Sequence, residues 1–348
     1  MHMRALILAG GKGTRLRPLT VYTPKPIVPV VNRPFLLFQL DILAKAGIKE
    51  VTLSLSYQPN KIEDLLGDGT DHGVHLSFVT EPSPMGTGGA YRFASRGNRE
   101  TTIVLNGDIL TNADIKRITD FHRSKNAEAT IALFPVPDPS SYGLVETDPE
   151  GKVLRFIEKP SPEEAGALGL NHINAGIYVL EPSVQDLIPE GENASFEYDV
   201  FPKLLDSKKP FYAYLMDSEY WRDIGTPESY LAAHHDLLAG KVDGVPDFES
   251  GESETATTAI IDSSSVIGEG CVIKPNARIT NSVLGTGVHV EEKAVITSSV
   301  IWPYTRISTF SEVTDSIVGR GSHIGRNVTL RAGSVIGDKA TLPDYSKA

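Results

Sequence analysis

The sequence has little cysteine and little tryptophan, with one Cys and two Trp in 348 residues. A single thiol, Cys271, can form neither an internal disulfide nor a cysteine-based zinc cluster. That excludes a disulfide scaffold and fits a reducing cytoplasm. Long hydrophobic runs are missing too. No stretch approaches the roughly 18–20 apolar residues that cross a bilayer, and the apolar run Ala5–Ala9 is too short for the core of a secretion signal. A cytoplasmic protein with no membrane partner is expected. Excess positive charge is also absent, since the net charge is −11 and the pI is near 5.3. An acidic chain repels nucleic acid and anionic lipid, so neither is an expected partner. What remains is ordinary globular composition, 40% hydrophobic and 22% charged, and a length that suggests two or three domains.

The acid is unevenly placed. It is concentrated in 1–240 and in 241–258, whereas 259–348 is nearly balanced. The segment 241–258 reads KVDGVPDFESGESETATT, without helical or strand period. It is expected to be a linker between a domain over 1–240 and another over 259–348. Upstream of it, β-branched runs alternate with helical patterns. Met3–Ala9, Val51–Ser56, Val74–Thr80, Thr102–Asn106 and Ala129–Val136 read as strands, several apolar nearly throughout, as buried parallel strands are. A helix is expected from Pro34 to Ala46, with Pro at its start and Gly47 as its stop. A hairpin turning at Asp148-Pro149-Glu150-Gly151 is expected within Tyr142–Glu158. The fold class is therefore α/β, a Rossmann-like mixed sheet covered by helices.

Downstream, aliphatic residues recur at Ile261, Ile267, Ile273, Ile279, Leu284, Val290, Ile296, Ile301, Ile307, Val313, Val318, Ile324, Leu330, Ile336 and Leu342. The steps are six residues, except for steps of five that begin at Ile279, Ile296 and Val313, 17 residues apart. Three short sides per turn, one of them shortened, make a hexapeptide parallel β-helix of about five coils.

After the first strand comes Gly10-Gly11-Lys12-Gly13-Thr14-Arg15-Leu16-Arg17-Pro18-Leu19-Thr20, and then Pro24-Lys25-Pro26. This stretch is basic and free of acid inside an acidic domain. A glycine-rich turn at the end of a parallel strand exposes backbone N–H groups to phosphate oxygens. Arg15 adds a planar multi-donor group and Lys25 a point charge. Together they describe a polyphosphate site. The patterns GxxxxGK[ST] and GxGxxG are both absent. Lys12 and Arg17 read equally well as phosphate ligands or as solvated loop charges.

The string GGKGTRLRPLT followed by PKP resembles the signature of the sugar-1-phosphate nucleotidyltransferases. Asn106-Gly107-Asp108, Phe156-Ile157-Glu158-Lys159-Pro160, Asn174-Ala175-Gly176-Ile177-Tyr178 and Trp221-Arg222-Asp223-Ile224-Gly225-Thr226 follow in that family's order. The resemblance covers essentially the whole chain apart from the linker, and it is nearest to the guanylyl-transferring branch that uses mannose 1-phosphate. It implies that the β-helix is left-handed. It also implies transfer of a nucleotidyl group from an NTP to a sugar 1-phosphate, with release of pyrophosphate and help from Mg²⁺. Asp108 and Asp223 would be the metal ligands. Arg15, Lys25 and Lys159 would be catalytic. The nucleotide would lie along Leu8, Ala9, Gly10, Gly11, Gly13, Thr14, Arg15, Glu81, Pro84, Gly86 and Thr87. The sugar phosphate would meet Gly143, Glu158, Lys159 and Asn174.

Base choice has a chemical argument. Where thymidylyl- and uridylyltransferases of the family commonly carry Gln, this chain carries Glu81. Guanine offers two neighbouring donors, N1–H and N2–H₂, and a carboxylate accepts both. GTP is therefore favoured, and mannose 1-phosphate follows from the family likeness. The alternatives are a glucose-1-phosphate thymidylyl- or uridylyltransferase, a GTP-dependent heptose enzyme, a β-helix acyltransferase using His289 or His323, and a non-catalytic subunit that binds NDP-sugar. His72 and His75 have HxxH spacing but read as a solvated turn. The β-helix carries no evident chemistry and is expected to mediate homo-oligomerisation.

Overall fold

A computed structural model describes residues 3–348. The chain divides into two compact units. One comprises the residues up to Gly11 with Leu37–Trp221, and the other comprises Lys12–Leu36 with Arg222–Ala348.

The first unit is built on a nine-stranded sheet. Its strands are β1 (Met3–Leu8), β2 (Glu50–Leu55), β3 (His75–Thr80), β4 (Thr101–Asn106), β5 (Ala129–Pro135), β6 (Gly143–Thr147), β7 (Val153–Glu158), β8 (His172–Leu180) and β9 (Phe211–Leu215). The order runs β7-β6-β8-β4-β1-β2-β3, with β5 also on β8 and β9 on β5. β1 is parallel to β2 and to β4, with Ala5 opposite Val51 on one side and Ile103 on the other. The chain thus leaves β1 in one direction and returns on the other side. The carboxyl ends of β1 and β4 meet where the strand order switches, which is where open α/β sheets form their crevices. β8 runs antiparallel to β4, β5 and β6, as does β7 to β6. Ala5, Leu6, Ile7, Ile103, Val104 and Leu105 are all buried, which is why these strands read as unbroken apolar runs. The hairpin turns as expected, with Asp148 Oδ1 accepting from the N–H groups of Glu150 and Lys152 at 3.0 and 2.8 Å. An aromatic core of Tyr178, Phe196, Phe201 and Phe211 packs beneath the sheet, with ring centroids 5.0–5.6 Å apart. The helix expected from Pro34 begins at Leu36 instead (Leu36–Lys45), because Arg33–Pro34 pairs with Pro29–Val30 in a small hairpin.

In the second unit, three parallel sheets of six, five and five short strands stack into coils. Successive strands lie directly over one another, for example Ile273 over Val290 and Ile279 over Ile296. All fifteen aliphatic positions of the repeat point inward. Ile267 to Leu330 are buried, and Ile261, Ile336 and Leu342 close the ends. The corners form columns of left-handed residues. One is Gly270, Gly287, Tyr304, Gly321 and Lys339, another is Asn276, Lys293, Phe310, Asn327 and Tyr345, and the third is Asn281, Ser298, Asp315 and Gly333. Gly and Asn tolerate that conformation best, which explains their recurrence at these points. The segment expected as a linker, 241–258, is not linker throughout. Ser253–Thr255 pairs in parallel with Cys271–Ile273 and forms part of the first coil. Among the described residues no helix is long and apolar enough to cross a membrane.

Candidate active site

In the first unit, the ends of β1, β2 and β4 are drawn together. Ala9 N–H donates to the Ser54 carbonyl and Gly107 N–H to the Leu8 carbonyl, both at 2.9 Å. A Cβ on Gly107 would lie 2.6 Å from the Leu8 oxygen, so only glycine allows this approach. The next residue, half-buried Asp108, is thereby held at the mouth of the crevice. The turn is fixed from behind by Gln39, a buried residue that sequence reasoning missed. Its Nε2 donates to the carbonyls of Asn106 and Ile109 at 2.8 and 3.0 Å.

Glu81 follows β3 and reaches the same end of the sheet. Its carboxylate accepts from Ser54 Oγ at 3.0 Å and from Met85 N–H at 3.2 Å. A Cβ on Gly10 would lie 2.7 Å from Glu81 Oε1. Leu8, Ala9, Gly10 and Glu81 are therefore neighbours, and Gly11 is exposed beside them. Pro84 uses its carbonyl to accept from Asn193 Nδ2 at 2.9 Å. Gly86 starts a helix (Gly86–Ala94) with φ +70°, and a Cβ there would meet the Ala194 oxygen at 2.4 Å. Thr87 Oγ1 donates to Glu197 Oε2 at 3.2 Å and accepts from Phe196 N–H at 2.9 Å. The Gly-Thr-Gly-Gly stretch thus has a packing reason of its own, close contact with the backbone around Ala194.

A second polar group gathers at the hairpin end of the same unit. A Cβ on Gly143 would sit 2.7 Å from Glu158 Oε2, so backbone and carboxylate are adjacent. Lys159 has φ +47° although it precedes Pro160, a conformation strained for a lysine. Such strain is characteristic of working sites. Asn174 Nδ2 donates to Tyr178 Oη, and Gly176 N–H to Asn174 Oδ1, both at 2.9 Å. Burial, then the charge of Glu197, pushes the Glu158 carboxyl above the usual carboxylate range, while Lys159 pulls it down. Glu197 is a second missed residue. It lies on a π-helical turn, Phe196–Val200, and its Oε2 accepts from Ser195 Oγ at 2.6 Å. Two signals for it were legible: Ser195 as a cap and a carboxylate two residues on.

The second unit holds the basic loop. Gly13 has φ +62°, and a Cβ there would lie 3.0 Å from Lys25 Cβ and 3.1 Å from Thr20 Cγ2. Thr20 Oγ1 closes the turn by donating to the Gly13 carbonyl at 2.6 Å. Leu16 and Leu19 are buried anchors, so Thr14, Arg15 and Arg17 are left exposed, as is Lys12, while Lys25 is buried. Asp223 comes from the same unit. A Cβ on Gly225 would lie 2.8 Å from Asp223 Oδ2 and 2.9 Å from Arg15 Nη2, so this glycine leaves room for an acid and a cation at one spot. The segment is braced by Arg222, whose Nε and Nη2 donate to Asp236 Oδ2 at 3.1 and 2.7 Å, and by Ser229 Oγ, which donates to the Asp223 carbonyl. Asp108, Glu81, Glu158, Lys159 and Asn174 therefore belong to the first unit, and Arg15, Lys25 and Asp223 to the second.

The rival sites are weaker. His323 Nε2 shares a hydrogen bond with Ser308 Oγ at 3.1 Å, and His289 is exposed on a coil face. Among the described residues no three His, Cys, Asp or Glu side chains cluster as a metal cage, which includes His72 and His75. Asp108 and Asp223 offer hard carboxylate oxygens; a hard cation takes one or two carboxylates and completes its shell with substrate oxygens and water.

The family profile described as Nucleotidyl transferase matches residues 4–240. The chain belongs to the nucleotidyl transferase family. A second profile, described as the EIF2B subunit epsilon LbH domain, matches residues 248–347, in keeping with a left-handed β-helix. The chain is 40% identical to a mannose-1-phosphate guanylyltransferase of Mycobacterium tuberculosis over 79% of its own length and 77% of the relative's. It is 38% identical to the mannose-1-phosphate guanylyltransferase catalytic subunit beta of Drosophila melanogaster, over 77% of this chain and 72% of that one. It is also 39% identical to a UTP–glucose-1-phosphate uridylyltransferase of Synechocystis, over 70% of this chain and 65% of that one. This nucleotidyl transferase is an enzyme, and its family works with a divalent metal.

Proposed function

We propose that the enzyme transfers GMP from GTP to mannose 1-phosphate, giving GDP-mannose and pyrophosphate. The observation that carries the base choice is Glu81, a carboxylate set against Gly10 at the end of the central strand. Its two oxygens match the N1–H and N2–H₂ edge of guanine. The relatives' names support the sugar.

The sugar phosphate is already anionic at neutral pH, so its oxygen attacks the α-phosphorus without a general base, and pyrophosphate departs in line. What the residues supply is alignment and positive charge. Arg15 holds the β- and γ-phosphates and receives the charge of the leaving pyrophosphate. Lys25 faces the α-phosphate, where charge builds up in the transition state. The backbone of Leu8, Ala9, Gly10, Gly11, Gly13 and Thr14, with Pro84, Gly86 and Thr87, frames the nucleotide. Lys159 holds the incoming phosphate, and Glu158, Asn174 and the Gly143 backbone hold the sugar. Asp108 and Asp223 would hold Mg²⁺, which when bound neutralises phosphate charge and orients the reacting oxygens.

The domain division we propose is 1–240 catalytic, followed by a β-helix that takes in Ser253–Thr255 and runs on through 259–348, with homo-oligomers formed through the latter. A second reading, uridylyl transfer to glucose 1-phosphate, is favoured by the Synechocystis relative. A pyrophosphate-release assay crossing GTP, UTP, ATP and dTTP with mannose and glucose 1-phosphates separates the two. Preference for UTP with glucose 1-phosphate would overturn the first reading.

A further inference from the structure

The basic loop has almost no regular structure to hold it. Between Lys12 and Leu36 there are two short 3₁₀ turns and a hairpin of two-residue strands. Its hydrophobic anchors, Leu16, Leu19, Val28 and Val30, are nonetheless fully buried. The hairpin turns through Val31 and Asn32 at φ +44° and +62°. Asn is at ease there, but a β-branched Val is not, so something outside the turn must impose its shape.

That something is the β-helix. Asn32 Nδ2 donates to the Leu284 carbonyl at 2.8 Å, an oxygen that also accepts the coil-to-coil bond from Gly268 N–H. The Pro29 carbonyl, on the other side of the turn, accepts from Tyr230 Oη, and Trp302 Nε1 donates to that same hydroxyl at 3.0 Å. Tyr230 and Trp302 are both buried, and burial pushes the phenol far above its ordinary pKa, so it stays a donor. Farther back along the loop, Pro18 packs so closely on Gly337 that a Cβ there would lie 3.1 Å from it.

Trp302 is also a break in the repeat. On its side of the coils the residues following the inward aliphatics are Gly268, Gly285, Trp302, Gly319 and Gly337. Four of the five are glycines, whose added Cβ atoms would meet backbone or Pro18. The one departure is the side chain turned to Tyr230.

We propose that Asn32, Tyr230 and Trp302 are positioning residues, tying the hairpin of the basic loop to the β-helix so that the coils set where Arg15 and Lys25 stand. This rests on the reading of that loop as the NTP-phosphate site. It makes the β-helix part of the nucleotide site, besides any role in assembly.

The test is initial-rate kinetics on the full-length enzyme, with GTP and mannose 1-phosphate varied separately. Asn32→Gly keeps the left-handed turn and removes the amide, Asn32→Asp keeps the shape and removes the donor, and Tyr230→Phe removes the relay hydroxyl. Each is expected to raise KM for GTP by about tenfold while KM for the sugar phosphate stays within about twofold and the unfolding midpoint of Asn32→Gly holds. A fall in kcat alone with both KM values unchanged means lost active fraction and overturns the proposal. Arg15→Ala is the control. If it raises KM for GTP and the Asn32 and Tyr230 variants do not, the positioning role is wrong. If Arg15→Ala leaves KM for GTP unchanged, the loop reading is wrong and the proposal falls with it. Should Tyr230→Phe fail to fold, indole ¹⁵N spectra decide. The chain has two indole N–H groups, and that of Trp221 donates to the Ala175 carbonyl. GTP alone is expected to shift the Trp302 signal in the wild type and much less in Asn32→Gly, because coupling is reciprocal. An unmoved Trp302 signal in the wild type contradicts the proposal.

Discussion

Single carboxylates carry most of the specificity argument. Glu81→Gln keeps the size of the side chain and can still accept from Ser54, but it loses the charge that suits guanine's paired donors. A hydrogen bond to a charged group contributes about 1.5–3 kcal/mol, so the preference for GTP over UTP in kcat/KM is expected to fall by about tenfold or more. An unchanged ratio would remove Glu81 from base reading. Glu158 has a raised pKa because it is partly buried and faces Glu197. In the sugar-binding role proposed for it, its ionised form accepts from hydroxyls on both oxygens and more strongly than the protonated acid, so activity is expected to fall as the pH drops through that raised value, earlier than for an ordinary carboxylate. Glu197→Gln removes the like charge, lowers the Glu158 pKa and moves the acid limb of kcat/KM for the sugar phosphate to lower pH. A limb that stays put would show that Glu158 does not govern it. His234 is a stability switch. Burial pushes its pKa down from 6.5 to about 4. Between those values the unfolded chain binds the extra proton, so this stability is complete above about pH 6.5 and drains away towards pH 4. A melting series on wild type and His234→Gln checks it, the variant showing the shallower decline. Asp108, Glu81 and Glu158 were legible as candidates because each stands in a short motif string. Gln39 was not, because its role depends on the Asn106 carbonyl far away in the chain, and for Glu197 only the local Ser195 cap was legible, not its contact with Thr87.

Elements differ in how plainly the sequence announces them. The coils could be counted from spacing alone, because a β-helix stacks one aliphatic side chain per side and only local register is needed. The five strands read from apolar runs were found to within a residue, most of them because burial makes them apolar nearly throughout, whereas His172–Leu180 and Phe211–Leu215 were not read as strands. The start of the helix at Leu36 was misjudged because a proline that looks like a helix opener is held by Pro29 across a hairpin. The first coil was misjudged because Ser253–Thr255 is exposed and carries no aliphatic signal. Coil geometry also yields a clean stability test. A Cβ on Gly285 would lie 2.5 Å from the backbone nitrogen of Pro303, whereas one on Gly47 would meet nothing within 4 Å. Overpacking of this kind costs about 1–3 kcal/mol, so Gly285→Ala is expected to lower the unfolding free energy by that amount in denaturant titration. No change would mean that the coils are looser than they stand here.

At the scale of the whole molecule, a short segment near the amino end and the last third of the chain cooperate in one unit. Lys12–Leu36 folds with Arg222–Ala348, although 252 positions of sequence separate Asn32 from Leu284, whose hydrogen bond joins the two segments. That partnership is invisible to motif reading, which assigns the basic loop to the sheet it follows. The proposed metal pair is tested at this scale by a double-variant cycle. If Asp108 and Asp223 serve one ion, Asp108→Asn and Asp223→Asn each cost most of the activity, and together cost little more than either alone. Additive losses would mean independent roles. The central claim, guanylyl transfer to mannose 1-phosphate, is met most directly by measuring pyrophosphate release with Mg²⁺ across the four nucleotides and two sugar phosphates. The expected result is rapid release with GTP and mannose 1-phosphate and at least tenfold slower release with UTP and glucose 1-phosphate. The reverse order, or no release with any pair, would contradict it.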